Sequence, residues 1–100
     1  MSGGEYAGVI AVDDNVAVQR AMQLAFPGII VESDGEEALV KIEAAAASGC
    51  PLLVLVADYV LPGIDGLELC NRARLISPST RRLIVTAWPG RFAEKPDALE

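Results

Sequence analysis

Three aspartates that follow apolar runs are the residues best placed to do chemistry in this sequence. Asp13 and Asp14 come directly after the run Val9–Val12, and Asp58 follows the run at residues 52–57. Short apolar runs bounded by polar residues are typical of strands buried on both faces. In an open parallel sheet, functional groups collect beyond the carboxyl ends of the strands. If the two strands are neighbours, about 4.8 Å apart, the three carboxylates converge.

Converging carboxylates indicate a divalent cation, because their mutual repulsion is unfavourable without a counter-ion. Mg²⁺ fits best, since it prefers a few carboxylates together with water and phosphate oxygens. Thr86 ends a further apolar run and would bring a hydroxyl to the same edge. A carboxylate beside Mg²⁺ and a hydroxyl is a chemically reasonable acceptor of a phosphoryl group. One acid at a strand end is commonly a solvated loop charge, but three acids with a threonine favour a functional site.

The rest of the chain alternates between strand and helix patterns, in the order βαβαβαβ. Strands are predicted at 9–12, 29–31, 52–57 and 83–86, and helices at 16–26, 36–47 and 67–76. Alternating elements with nearly continuous apolar strands are typical of a parallel sheet with helices on both faces. The sequence therefore predicts an α/β fold.

Charge and composition exclude several function classes. With eight basic and fourteen acidic residues the net charge is −6, which is unfavourable for binding the phosphate backbone of a nucleic acid. The absence of histidine excludes Ser-His-Asp and Cys-His catalysis, HExxH zinc sites and a phosphohistidine role.

Length and hydropathy indicate one folded domain. One hundred residues, 52% of them hydrophobic, suffice for a single modest core. No apolar run approaches the roughly 18 residues of a membrane span. The first residues lack the basic-then-apolar pattern of a signal peptide, so we expect a cytoplasmic protein that does not contact a membrane.

Four segments together resemble the receiver domain of bacterial two-component response regulators, over about residues 6–88. The Asp-x-x-x-Pro-x-x-Asp-Gly pattern that begins at Asp58 is highly specific when an acidic pair precedes it at this distance. The matching segments are 9–15 (VIAVDDN), 33–39 (SDGEEAL), 54–69 (VLVADYVLPGIDGLEL) and 83–87 (LIVTA).

The resemblance implies a fold and a set of roles. The fold would be a flavodoxin-like, doubly wound parallel sheet, here truncated to four strands in the order 2-1-3-4 with three helices. Asp58 would be the phosphoacceptor. Asp13, Asp14 and Asp58 would bind Mg²⁺, with the backbone carbonyl of Val60 as a further ligand. Thr86 would be the switch hydroxyl.

The chain departs from the family pattern after Thr86. A receiver continues with a fourth helix, a fifth strand and a Lys-Pro pair, but only residues 87–94 separate Thr86 from Lys95-Pro96. An average helix and strand need about 16 residues, so both cannot be present there. Either Lys95 reaches the site by a shortened route, or the pair is coincidental. The expectation is one receiver domain over residues 1–100, with 89–100 as a tail or a shortened C-terminal segment.

The missing elements would leave an open sheet. The fourth strand would be an edge and the sheet face normally under the fifth helix would be uncovered, which favours pairing with another chain. Trp88, just past that strand, fits an interface anchor. We therefore expect a homodimer.

Two functions of different classes remain open. The first is a stand-alone phosphoacceptor, not an enzyme. It would take a phosphoryl group from a sensor histidine kinase or a histidine phosphotransfer protein and signal to a downstream protein target. The alternative is a non-catalytic interaction or dimerisation module built on a truncated receiver fold. A haloacid-dehalogenase-type phosphatase is disfavoured, because Val60 stands where that chemistry uses a second aspartate.

Overall fold

The computed structural model describes residues 4–85, which form seven elements in the predicted order. The strands are β1 (Val9–Val12), β2 (Ile30–Glu32), β3 (Val54–Asp58) and β4 (Arg81–Val85), and the helices are α1 (Val16–Ala25), α2 (Gly35–Ala47) and α3 (Gly66–Ile76). The βαβαβαβ prediction is confirmed over this range.

The four strands form one parallel sheet in the order β2-β1-β3-β4. This is the flavodoxin-like order that the resemblance implied. Val12 of β1 is in register with Glu32 on one side and with Ala57 on the other, and Ala57 is in register with Ile84. The carboxyl ends of all four strands therefore lie along one edge of the sheet.

Each helix begins at a side chain that accepts hydrogen bonds from its first turn. Asn15 accepts from Ala17 and Val18 at 2.9 and 3.2 Å. Asp34 and Asp65 each accept one backbone N–H at 2.8 Å, at the starts of α2 and α3. These bonds satisfy backbone donors that have no partner within a helix. Among the described helices, none has the length and apolar character that crossing a bilayer requires.

The main core lies between the sheet and the helices α2 and α3. The strands turn alternate side chains toward these helices, and the buried set includes Ile10, Val12, Leu55, Ala57 and Ile84 from the strands, Ala38 and Ile42 from α2, and Leu69, Cys70 and Ala73 from α3. Burial of a large aliphatic side chain stabilises a fold by about 1.5–3 kcal/mol. This layer is therefore the main source of stability in the described structure.

The opposite face of the sheet is only partly covered, because α1 packs over β2 at one end of it. The spacing of Val18, Ala21, Met22 and Ala25 at i, i+3, i+4 and i+7 predicts that they share one apolar face of α1. Val18 and Met22 are half-buried, whereas Ala21 and Ala25 are exposed. No residue of α1 is fully buried, since no second described helix packs beside it on this face.

Three of the strands have boundaries that differ from the sequence predictions. The second and third strands begin one and two residues later than expected, and Asp58 is the last residue of β3 rather than the residue after it. The fourth strand begins at Arg81 instead of Leu83. Arg81 and Arg82 interrupt the apolar pattern, yet both pair with β3. A strand at the edge of a sheet tolerates charged side chains, so hydropathy alone misses this start.

Gly66, the first residue of α3, packs against the backbone that follows Asp58. Its N–H donates to the Tyr59 carbonyl at 2.8 Å. A Cβ at this position would overlap the Asp58 carbonyl and come within 3.0 Å of the Tyr59 Cα. Because backbone cannot swing aside as a side chain can, this contact requires glycine.

We predict that Gly66→Ala destabilises the protein by roughly 1–3 kcal/mol, although alanine in a helix is otherwise favoured by roughly 0.5–1 kcal/mol. Gly35→Ala is the matched control. It also starts a helix, but its added Cβ would meet the Ile64 side chain, which can move, so we expect a smaller loss. Urea unfolding measures both variants. A Gly66→Ala protein as stable as the parent would contradict the close approach.

Candidate metal centre

Three carboxylates converge at the carboxyl ends of the two central strands. Asp13 follows β1 directly, Asp14 is next along the chain, and Asp58 ends β3. One oxygen of each carboxylate lies within 4.8 Å of one oxygen of each of the others. Asp13 and Asp58 are partly buried, whereas Asp14 is exposed. The convergence that the sequence predicts is therefore present.

The loop that carries Asp13 is fixed on three sides. The backbone N–H of Asp13 donates to the Glu32 carbonyl at 3.0 Å, and Asp13 Oδ1 accepts the Asn15 N–H at 2.9 Å. The Gln19 side-chain amide, one turn into α1, donates to the Asp13 carbonyl at 2.6 Å and to the Ser33 hydroxyl at 3.0 Å. These bonds tie the start of α1 and the end of β2 to the acidic loop.

Sequence reasoning missed Gln19. A glutamine within a helix is ordinarily a solvated residue, and no motif distinguishes this one. Its role depends on α1 leaning over β2, which brings Ser33 and the Asp13 carbonyl within reach of one amide group. That is a tertiary relation and has no local sequence signal.

Asp58 is held by the sheet. It pairs with Val85 of β4, and the next residue, Tyr59, donates its N–H to the Val85 carbonyl at 3.0 Å. The Gly66 N–H then closes the loop onto the Tyr59 carbonyl. The Asp58 carboxylate thus extends from a paired strand end toward Asp13 and Asp14.

Burial raises the pKa of the Asp58 carboxyl above its ordinary value of 3.8, and the negative charge of Asp13 raises it further. Backbone hydrogen bonding from Val60 and Tyr59 lowers this pKa, and Asp14 contributes a smaller increase. Both the burial and the neighbouring charges disfavour the ionised form. The site is therefore under electrostatic strain that a cation would relieve.

The donor set fits Mg²⁺. This ion prefers oxygen ligands at about 2.0–2.1 Å and keeps several waters, so opposite ligands lie about 4.2 Å apart. Only one pair of three ligand oxygens can lie opposite each other and neighbouring ligands lie about 3 Å apart, so carboxylate oxygens within 4.8 Å of one another would draw closer together around the ion. The exposed position of Asp14 leaves the site open to water and to a further ligand.

Three further predicted site residues stay as predictions. The Val60 side chain is exposed, and its proposed role involves only its backbone carbonyl. Thr86 directly follows Val85, the register partner of Asp58, but Thr86 itself lies outside the described residues. Lys95 also lies outside that range, as does Trp88, the expected interface anchor.

No protein-family model matches the chain, but comparison with curated proteins finds response regulators among its relatives. The response regulator MprA of Mycobacterium leprae is 39% identical over 83 residues, covering 79% of this chain and 34% of MprA. The transcriptional regulatory protein TrcR of Mycobacterium tuberculosis is 36% identical over 83 residues, covering 79% of this chain and 30% of TrcR. The chain spans about a third of the length of these relatives.

Solved structures agree in fold. The chemotaxis response regulator CheY4 of Vibrio cholerae superposes with a TM-score of 0.67 and 26% identity, covering 90% of this chain and 78% of CheY4. The chain belongs to the response-regulator receiver domains. A CheY-like receiver protein from Methanospirillum hungatei superposes with a TM-score of 0.70 at 22% identity, over 90% of this chain and 73% of that one. At that identity the second match supports the receiver fold alone.

Replacing Asp58 should stabilise the metal-free receiver domain at neutral pH. When folding raises the pKa of an acid, the folded protein loses stability as the pH increases from the unfolded pKa through the folded pKa of that acid. We therefore predict that Asp58→Asn unfolds at a higher temperature than the parent at pH 7, with a chelator present. The advantage should shrink as the pH falls through the raised pKa of Asp58 toward 3.8, its ordinary value. An advantage of constant size across this pH range would contradict the electrostatic explanation.

Mg²⁺ should stabilise the receiver domain through the three carboxylates. An ion that binds only the native state adds RT ln(1 + [L]/Kd), about 2.7 kcal/mol at a hundred times Kd. We predict a melting temperature that rises with Mg²⁺ in the parent and does not rise in Asp14→Ala. Glu36→Ala, which removes an exposed acid of α2, should keep the full rise. The same rise in Asp14→Ala as in the parent would exclude this site.

Proposed function

We propose that this receiver domain accepts a phosphoryl group on Asp58 in a Mg²⁺-dependent reaction. The observation that supports it most directly is the meeting of Asp13, Asp14 and Asp58 at the carboxyl edge of the central strands. Of the three, Asp58 ends a strand paired on both sides, which gives the nucleophile a fixed direction.

In the proposed reaction, a carboxylate oxygen of Asp58 attacks the phosphorus of a phosphoramidate. The new bond is O–P, the bond that breaks is N–P, and the imidazole nitrogen of the donor retains the electron pair. Phosphoryl transfer depends mainly on positioning and on charge stabilisation. Bound Mg²⁺ would supply the positive charge that lets an anionic phosphoryl group approach three carboxylates. Thr86 is proposed to contact the transferred group, and Lys95 would do so only if a shortened route brings it to the site.

This chain's own residues supply the positioning. The β3–β4 pairing fixes the attacking carboxylate. The raised pKa of Asp58 reflects burial and the charge of Asp13, both of which disfavour the ionised carboxylate that must attack. At neutral pH, Mg²⁺ favours that ionised form, because a cation lowers the pKa of a carboxyl beside it.

The proposed partners are those that a receiver requires. The donor would be a sensor histidine kinase or a histidine phosphotransfer protein, since the chain contains no histidine of its own. The output would be a contact with a downstream protein. The chain matches only 34% of MprA and 30% of TrcR, so the activities of their other segments are not carried over. A stand-alone mode of action and a cytoplasmic location also stay proposals.

One observation favours the alternative, a receiver fold used only for protein–protein contact. Leu83 and Val85 of β4 are exposed apolar residues on a strand at the end of the described sheet. An interaction module would use such a surface without chemistry at Asp58. The two functions differ in whether the protein gains mass from a phosphodonor.

Intact-mass measurement with Mg²⁺ and a small phosphodonor, such as phosphoramidate, separates them. We predict that the parent gains the mass of one phosphoryl group and that Asp58→Asn gains none. Asp34→Asn is the matched control. It changes an aspartate to asparagine at a helix N-cap, where both residues function, so it should be phosphorylated like the parent. A parent that gains no mass, or an Asp58→Asn protein that gains as much, would overturn the proposed function.

A further inference from the structure

Strand β4 is the edge strand at one end of the described sheet, and its last three residues are apolar. The sheet order places β4 beside β3 on one side and beside no other strand of residues 4–85. Leu83 and Val85 are 52% and 57% exposed, and they lie on the sheet face that carries α1, at the β4 end that α1 does not cover. Exposed edges with apolar centres pair readily with another chain, and short or charged edges reduce this tendency. The charges of β4 lie only at its start, at Arg81 and Arg82.

The backbone directions of β4 follow from two hydrogen bonds. The Arg81 N–H donates to the Leu53 carbonyl at 2.8 Å, and the Val85 carbonyl accepts the Tyr59 N–H at 3.0 Å. Backbone groups alternate along a strand, so residues 81, 83 and 85 face β3. Arg82 and Ile84 therefore direct their N–H and C=O groups away from β3, toward the open edge.

We propose that β4 pairs antiparallel with β4 of a second copy of this chain, about a two-fold axis at Leu83. In an antiparallel ladder, a hydrogen-bonded pair exchanges two N–H···O bonds. With the axis at Leu83, Arg82 of each copy faces Ile84 of the other, so all outward groups of both residues are used in four bonds. This inference goes beyond the proposed function and does not depend on phosphorylation.

Other registers use the edge less well. An axis at Ile84 forms one hydrogen-bonded pair within β4 instead of two. An axis at Arg82 places two Arg82 side chains directly opposite each other, and like charges in that position are destabilising. It also requires the backbone of Thr80, whose N–H already donates to Ser77 and whose carbonyl already accepts from the Arg82 guanidinium.

The Leu83 register also suits the side chains. Leu83 faces its own copy in a non-hydrogen-bonded pair, where Cα atoms approach to about 4.5 Å and side chains contact most closely. Arg81 faces Val85, so its aliphatic stem can cover the valine while the guanidinium stays in water. No arginine faces an arginine. Such an interface is self-complementary, as a two-fold requires.

The first test measures mass in solution against a matched control. Light scattering should give a species of about 21 kDa, twice the 10.5 kDa chain as a two-fold dimer requires. Leu83→Lys, which places two charges at the axis, should leave a monomer. Leu24→Lys should stay dimeric, because Leu24 is 86% exposed on α1, which packs over β2 at the other end of the sheet. Circular dichroism should show both variants folded.

The second test fixes the register by cross-linking. In a Cys50→Ser background, Leu83→Cys should form a disulfide dimer on mild oxidation, since directly opposed residues lie within the 4.4–6.8 Å Cα range of disulfides. Leu24→Cys in the same background should not. Cys70 does not interfere, because it is buried and burial raises its thiol pKa to about 11.

A parent that stays monomeric at high micromolar concentration would overturn the proposal, whether another part of this chain or a different protein covers the edge. Dimers that persist in Leu83→Lys, or that cross-link equally through Leu24→Cys, would also overturn it by locating the interface elsewhere. Asp58→Asn should dimerise like the parent. Loss of phosphorylation and loss of dimerisation are thus distinguishable.

Discussion

The register between β1 and β3 determines where the acidic groups of this receiver lie. Val12 stands beside Ala57, so Asp13 and Asp58 reach the sheet edge side by side. A slip of one residue would move one carboxylate by about 3.3 Å and turn every side chain of the strand to the opposite face. Ile10 and Leu55 are fully buried against α2 and α3, and a slip would expose them. The hydrophobic core therefore enforces the geometry of the site.

The same core holds together groups that repel each other. Three carboxylates share one edge, and nothing in the described site neutralises them, since the ion pairs of Lys41 with Glu32 and of Arg72 with Glu68 lie elsewhere. Close packing holds the loop after Asp58 in place despite this repulsion, because Gly66 lies directly against the Asp58 carbonyl. The backbone is thereby arranged for a charged ligand before that ligand is bound, which lowers the reorganisation that binding requires.

Much of this arrangement could be predicted from the sequence because its signals are local. Continuous apolar strands, the capping residue Asn15 and the positions of Asp13 and Asp58 each depend on a few neighbouring residues. The order of the strands came from the family resemblance rather than from periodicity. The start of β4 could not be predicted from hydropathy, since Arg81 and Arg82 look like loop residues until a partner strand is known. Gln19 could not be found either, because its bonds join the Asp13 loop to Ser33, which lies fourteen residues along the chain from Gln19.

Helix α1 is little buried, yet it begins at the loop that carries Asp13 and helps to hold that loop in place. No residue of α1 is fully buried, so little apolar surface opposes its detachment, and local opening there has a lower free energy than opening of the core layer. Detachment would also release Asn15 and Gln19 from Asp13. A ligand that requires an ordered Asp13 would then bind only the closed state and suppress the opening. Amide hydrogen exchange along α1 consequently reports the occupancy of a site to which the helix itself contributes no carboxylate.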